Sequence, residues 1–353
     1  MSATTSTASS DAAGQAVRGR AVQISKPNAA FELVDVTYAV PGHEEVRIKI
    51  EACGVCHSDS FPVQGHFPGL QYPAVPGHEI VGKVDAVGSG VTRLKVGDRV
   101  GVGWHGGHCH ECLACRQGDF ICCDKLDTPG ITIAGGYAQY GNYREEVCAL
   151  VPDGLSSVHA APLLCAGVTT FNALRHSGAI AGDTVAVLGL GGLGHLGVQF
   201  ANKMGFRTVG IARGADKAAF ARELGAHEYI DSQEADAVQK LIKMGGARVI
   251  LATATSARAM APFIDSLGLN GHLMIVGASM EPLEVNTIAL LGKRRSISGW
   301  PSGVASDSED CMRFAALHGI KPMTEVFALA DAAQAYERMM SGQARFRAVL
   351  EIK

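Results

Sequence analysis

No run of about 18 uninterrupted apolar residues occurs anywhere in the 353-residue chain, so nothing in it is expected to span a membrane. A basic excess is missing too. With a net charge of −3 and a pI near 6.5, the chain carries no electrostatic footprint for nucleic acid or an anionic membrane surface. The N-terminal stretch 1–17 lacks a basic region followed by an apolar one. Its Ser, Thr, Ala and Gly content predicts a disordered tail rather than a secretory signal, and a cytoplasmic protein. Neither an internal repeat nor a further low-complexity block is visible. What is present suits a globular protein: 47% hydrophobic and 18% charged residues. The length exceeds what one core usually serves and predicts two domains. The 43 glycines suit an α/β protein with many tight turns, and ten cysteines without an export signal favour metal sites or free thiols over disulfides.

The chemistry concentrates between Cys53 and Glu79, which opens Cys-Gly-Val-Cys-His-Ser-Asp and closes Gly-His-Glu. Thiolate, imidazole and carboxylate together are what zinc prefers, and a catalytic zinc takes three protein ligands plus one open position. Cys56 and His78 can supply two ligands. Cys165, within Leu-Leu-Cys-Ala-Gly-Val-Thr-Thr, is the candidate for the third. Cys56 taken alone is equally explained as a core thiol, and the remaining motifs tip the balance. Cys109, Cys112, Cys115 and Cys123 follow C-x2-C-x2-C-x7-C, a closed thiolate set that predicts a structural zinc. Free thiols are the alternative there, whereas iron–sulfur clusters use other spacings. Cys122 adjoins the fourth ligand and competes with it. His105, His108 and His110 crowd the same loop and read as spare polar side chains with at most weak metal scavenging.

Residues 18–160 show short alternating runs broken by Gly and Pro, which predict a mostly β, barrel-like domain. Residues 161–300 alternate strand, Gly-rich turn and helix, which predicts a parallel sheet wrapped by helices, and 301–353 is expected to return to the first domain. In the second domain Gly189-Leu-Gly-Gly-Leu-Gly194 follows a strand and opens a helix, the context that makes G-x-G-x-x-G a dinucleotide site. Gly189 allows the turn, Gly191 the approach of a pyrophosphate, Gly194 close helix–strand packing, and Gly192 and Leu193 complete the loop. An acidic residue about 20 positions on would hold the ribose 2′-hydroxyl of NAD. It is absent: Ala212 stands there, followed by Arg213, with Lys217 close by, and a guanidinium suits a 2′-phosphate. The expected cofactor is NADP(H), with NAD(H) acceptable if Arg213 points elsewhere.

With these motifs in place, the chain resembles the zinc-dependent medium-chain alcohol dehydrogenases, within them the cinnamyl-alcohol-dehydrogenase-like and microbial branches. Gly-Val-Cys-His-Ser-Asp, Pro-Gly-His-Glu, the four-cysteine lobe, Leu-Cys-Ala-Gly-Val-Thr and Gly-Leu-Gly-Gly-Leu-Gly occur in the family's order and spacing. The resemblance implies an α/β fold, with a Rossmann-type doubly wound parallel sheet beside a GroES-like catalytic domain. It also implies two zinc ions per subunit, a homodimer or homotetramer, and reversible hydride transfer between a primary alcohol and the nicotinamide. By it, Cys56, His78 and Cys165 hold the catalytic zinc, Glu79 is a transient ligand, and Asp59 orients His78. His57 and Arg347 would touch the pyrophosphate, Thr169 the nicotinamide, and the Val276 backbone its carboxamide. Ser58 would contact the substrate hydroxyl, with Trp104 lining the pocket. Phe61 departs from the pattern, because many members carry a proton-relaying histidine there. The relay then runs through Ser58 and the cofactor ribose, or through His57. A secondary-alcohol or polyol dehydrogenase is the alternative within the superfamily, and a non-enzymatic zinc-stabilised protein the alternative outside it.

Overall fold

The computed structural model describes residues 14–67 and 69–353, so most of the expected tail lies outside the described residues. The tail's last part is structured, contrary to expectation. Arg47 Nη1 donates to the Gln15 carbonyl at 2.7 Å, and Val17 opens the strand Val17–Ile24. The chain divides into two units, one of 1–161, 326–342 and 348–353, the other of 162–325 and 343–347.

The first unit is built on the strand Glu45–Val55, whose apolar residues are almost wholly buried. It pairs antiparallel with Ile80–Val87, Tyr140–Arg144 and Arg347–Glu351, and Ile80–Val87 passes the sheet on to Arg99–Val102. Ile48, Ile50, Val84, Val100, Val102 and Leu350 form its core, each aliphatic side chain contributing about 1.5–3 kcal/mol by burial.

In the second unit six parallel strands lie in the order Glu228–Asp231, Arg207–Ala212, Thr184–Leu188, Ala247–Ala252, Leu267–Ile275 and Ser296–Gly299 among the described residues. Numbered along the chain this is 3-2-1-4-5-6, the doubly wound order that places a ligand site where the order reverses. The central strand is Thr-Val-Ala-Val-Leu, buried from Val185 to Leu188 as β-branched runs in parallel sheets are. The expected α/β class, with a Rossmann-type unit and a mostly β unit, is the observed one.

The return to the first unit comes at Val326, not at 301. Strand–helix alternation does end near Trp300, but tertiary contacts hold the next segment in the second unit. Asn172 Nδ2 donates to the Ser302 carbonyl at 3.1 Å, Arg175 pairs with Asp307 and Asp310, and Cys311 Sγ meets the Leu163 carbonyl at 3.9 Å. Among the described residues no helix is long and apolar enough to cross a membrane.

Candidate active site

Where Glu45–Val55 runs out, Cys56 begins a short 3-10 turn, His57–Asp59. Asp59 is 2% exposed and its carboxylate meets three groups at once. Oδ1 lies 3.0 Å from His78 Nδ1, while Oδ2 accepts the Cys56 N–H at 2.8 Å and the Tyr137 hydroxyl at 2.9 Å. Tyr137 escaped the sequence reading. It is wholly buried and sits 78 residues along from Asp59, so no local pattern marks it. Gly77 makes room for it, since a Cβ there would lie 2.6 Å from the Tyr137 ring and 2.7 Å from Cys53 Sγ. Gly54 does the same for Glu79, whose Oε2 would be 1.8 Å from an added Cβ.

Cys56 Sγ, a ring nitrogen of His78 and a carboxylate oxygen of Glu79 lie within 4.8 Å of one another in the first unit, while Cys165 opens the helix Ala166–Arg175 in the second. His78 is 0% exposed, its Nε2 has no hydrogen-bond partner, and the half-buried Trp104 meets its ring edge-on at 5.0 Å between centroids. Burial opposes a charged imidazole here, yet the Asp59 carboxylate and the Cys56 thiol outweigh it and raise the His78 pKa well above the ordinary value. A buried imidazole beside a thiol and a carboxylate, with a second carboxylate behind it, is a donor set that fits zinc. Ser58 beside it is half-buried and His57 exposed, while the Phe61 and Phe67 rings tilt against each other at 6.0 Å. Cys53 stays in the strand, fully buried, as a core thiol.

The second cysteine set is closed. Cys109, Cys112, Cys115 and Cys123 bring their sulfurs within 4.8 Å, and Cys122 is exposed outside the group. Backbone N–H groups of Cys109 and Lys125 donate to Cys123 Sγ at 3.3 Å, and that of Cys112 to Cys109 Sγ at 3.4 Å. Such donors favour thiolates: hydrogen bonds from the Cys115 and Asp124 backbone bring the Cys112 pKa down to about 6. None of the ten cysteines, all among the described residues, is in a disulfide.

In the second unit Gly189 takes φ +105° and turns the chain out of the central strand. A Cβ on Gly194 would lie 1.8 Å from the Gly189 carbonyl oxygen, whereas Gly191 faces open space. Leu193 caps the helix Gly194–Lys203. Arg347 is 4% exposed, and its Nη1 would stand 2.9 Å from a Cβ on Gly192, so its guanidinium lies over the turn. His195 was also missed. Its Nδ1 faces the Gly191 carbonyl at 3.0 Å, its Nε2 the Met323 N–H at 3.2 Å, and its ring stacks on Phe346. Burial lowers its pKa to about 4, so this histidine is neutral and braces the loop. Thr169 is buried one turn after Cys165, and the Val276 N–H is taken by the Ala252 carbonyl, leaving its own carbonyl to offer. Beyond Ala212, Arg213 is exposed and Lys217 half-buried. Asp231, which pairs with Ala212 on the neighbouring strand, accepts the N–H groups of Gly214 at 2.9 Å and Gln233 at 3.0 Å.

A nucleotide-type α/β unit and a β unit that carries a four-cysteine set and the Cys56, His78 and Glu79 cluster define a metal-dependent dehydrogenase. Residues 42–153 match the family described as Alcohol dehydrogenase GroES-like domain, and residues 192–316 the one described as Zinc-binding dehydrogenase. The chain is 48% identical to the alcohol dehydrogenase patD of Penicillium expansum, over 91% of this chain and 94% of that one. A cinnamyl alcohol dehydrogenase of Sorghum bicolor superposes with a TM-score of 0.87 at 30% identity, over 95% of this chain and 98% of that chain. The Helicobacter pylori structure solved in complex with NADP(H) gives 0.84 at 27%, over 96% and 99%. The chain belongs to the zinc-dependent medium-chain alcohol dehydrogenases. It is a zinc alcohol dehydrogenase and aldehyde reductase that works with a nicotinamide cofactor.

Proposed function

We propose that the chain interconverts primary alcohols and aldehydes with a preference for NADP(H), using one catalytic and one structural zinc per subunit. The observation that carries the catalytic reading is the gathering of Cys56, His78 and Glu79 within 4.8 Å in the first unit, with Asp59 behind His78. Cys56, His78 and Cys165 would hold the catalytic zinc and Cys109, Cys112, Cys115 and Cys123 the structural one. When bound, zinc supplies a Lewis acid for the substrate oxygen and the nicotinamide supplies the hydride acceptor or donor.

The chain's own side chains do the rest. Asp59 keeps the Nδ1 proton of His78 in place, so that Nε2 presents its lone pair. Ser58 takes the proton of the substrate hydroxyl and passes it outward, with Phe61 standing where a histidine relay would be. Phe61 and Trp104 exclude water and suit an apolar alcohol. Glu79, buried behind Gly54, is held ready as an alternate ligand. The glycines of 189–194, with Leu193 and Arg347, would hold the pyrophosphate of a bound cofactor at a helix N-terminus, and by the family resemblance His57 would contact it too. Thr169 and the Val276 carbonyl would orient the nicotinamide ring when the cofactor is bound.

NADP preference rests on Arg213 and Lys217. Charge-assisted hydrogen bonds contribute about 1.5–3 kcal/mol each, enough for a tens-fold preference from one or two. Asp231, opposite Ala212 in the sheet register, has its carboxylate engaged by two backbone amides, and Asp216 lies in the turn itself, between Arg213 and Lys217. Steady-state kinetics with primary, secondary and polyol substrates, each with both cofactors, test the reading. The expected result is higher kcat/KM for primary substrates and for NADPH, with the NADPH advantage lost in Arg213→Ala. An enzyme preferring NADH, or one whose preference survives that substitution, refutes the cofactor assignment. A homodimer or homotetramer in the cytoplasm completes the proposal, with sedimentation velocity its test.

A further inference from the structure

Outside both cysteine-containing sets, the first unit brings together a third group of metal-ligating side chains. His108, His110 and Glu146 each offer one ligand atom, and these lie within 4.8 Å of one another. His108 and His110 flank Cys109 in one loop, and Glu146 comes from the turn Glu145–Val147 after the strand Tyr140–Arg144. Glu146 Oε1 is 3.8 Å from His108 Nδ1, and Oε2 is 3.8 Å from His110 Nε2. One carboxylate thus faces two imidazoles.

We propose that His108, His110 and Glu146 form a third, solvent-facing site for a divalent transition-metal ion. Two imidazoles and a carboxylate select zinc, cobalt, nickel or copper over magnesium or calcium. Part of the site is already fixed in place. The His108 ring stacks on Phe120 at 4.1 Å and 23°, and on His105 at 5.1 Å and 25°. His105 Nε2 also stands 3.1 Å from that same His108 Nδ1, so this contact must open before Nδ1 can ligate. The other two ligands can adjust, because the His110 side chain is 59% exposed and that of Glu146 36%. Donor atoms around one zinc lie roughly 3–3.5 Å apart, so a small closure of these two exposed side chains onto His108 completes the geometry.

One group competes. Arg144 Nη1 lies 3.5 Å from Glu146 Oε1. That pair is exposed and contributes little, and the guanidinium can swing into solvent when a cation arrives. Three protein ligands leave room for water, so the ion is exchangeable, unlike one in the closed cysteine set. Once bound, it ties the loop carrying Cys109 to the turn after Tyr140–Arg144.

The test is a calorimetric titration of Co2+ into the purified full-length protein, with its tightly held zinc left in place and measured beforehand. Wild type should take up one further equivalent of cobalt. His110→Asn and Glu146→Gln should each lose that equivalent and keep alcohol oxidation at the wild-type rate. Asn suits position 110, where φ is +61°. No uptake beyond the measured zinc, or equal uptake by both variants, overturns the site. The starting zinc content reports separately on the two cysteine-containing sets, so failure of this proposal cannot be confused with failure of theirs.

Discussion

Asp59→Asn is the sharpest perturbation of the catalytic set, because it changes one atom and leaves the shape. Asp59 is buried and accepts from Cys56 N–H and Tyr137 O–H on Oδ2, while Oδ1 faces His78 Nδ1 at 3.0 Å. An asparagine has one acceptor oxygen and one donor NH2, so it cannot serve all three. If its oxygen stays with Cys56 and Tyr137, the NH2 faces His78 and drives the ring proton onto Nε2, the atom that must ligate. If it flips, two donors lose their acceptor in a dry site. A hydrogen bond to a charged group contributes about 1.5–3 kcal/mol, and loss of a group behind a metal ligand lowers metal affinity about 10- to 100-fold. Those two figures agree, since about 1.4 kcal/mol is tenfold. The assay is zinc release to a colorimetric chelator, with the four-cysteine zinc as internal reference. One zinc should leave Asp59→Asn about 10- to 100-fold more readily while the other behaves as in wild type. Tyr137→Phe, which removes one of the three contacts, should shift the same zinc by less. Unchanged release from Asp59→Asn, or equal loss from both sites, would refute this chain of reasoning.

Two further outcomes follow from local geometry. Ser58→Ala should slow alcohol oxidation about 10²- to 10⁴-fold at saturating cofactor, the usual contribution of a positioned proton-transfer group; near-normal turnover would mean that protons leave by His57 or water. Gly194→Ala should weaken cofactor binding and cost about 1–3 kcal/mol in denaturant unfolding, because its methyl would meet the Gly189 carbonyl at 1.8 Å, outweighing any gain in helix propensity; a variant as stable as wild type would show that the turn can open.

The legible features of this chain were local ones. Four cysteines within fifteen residues, or glycines between a strand and a helix, carry their chemistry in their spacing, and the structure gathers those four sulfurs and shapes the turn around Gly189 and Gly194. Tyr137 and His195 were illegible because their roles arise only on folding. One is an ordinary aromatic aimed at a carboxylate from a distant turn, and the other reads as a helical polar residue. The late return at Val326 was hidden for a related reason. Asn172 and Arg175 hold 302–310 through side-chain contacts that strand–helix alternation does not register. The choice between Cys122 and Cys123, both candidates by spacing, fell to Cys123 because Cys122 faces solvent.

Zinc counting on purified protein, after gel filtration to strip loosely held metal, tests the central claim most directly. Two zinc ions per chain are expected in wild type. Cys165→Ala should keep one and lose turnover with its thermal stability preserved, whereas Cys112→Ala should lose stability, because that zinc closes a loop. A single zinc in wild type, or two retained by an inactive Cys165→Ala, would contradict the division into a catalytic and a structural site.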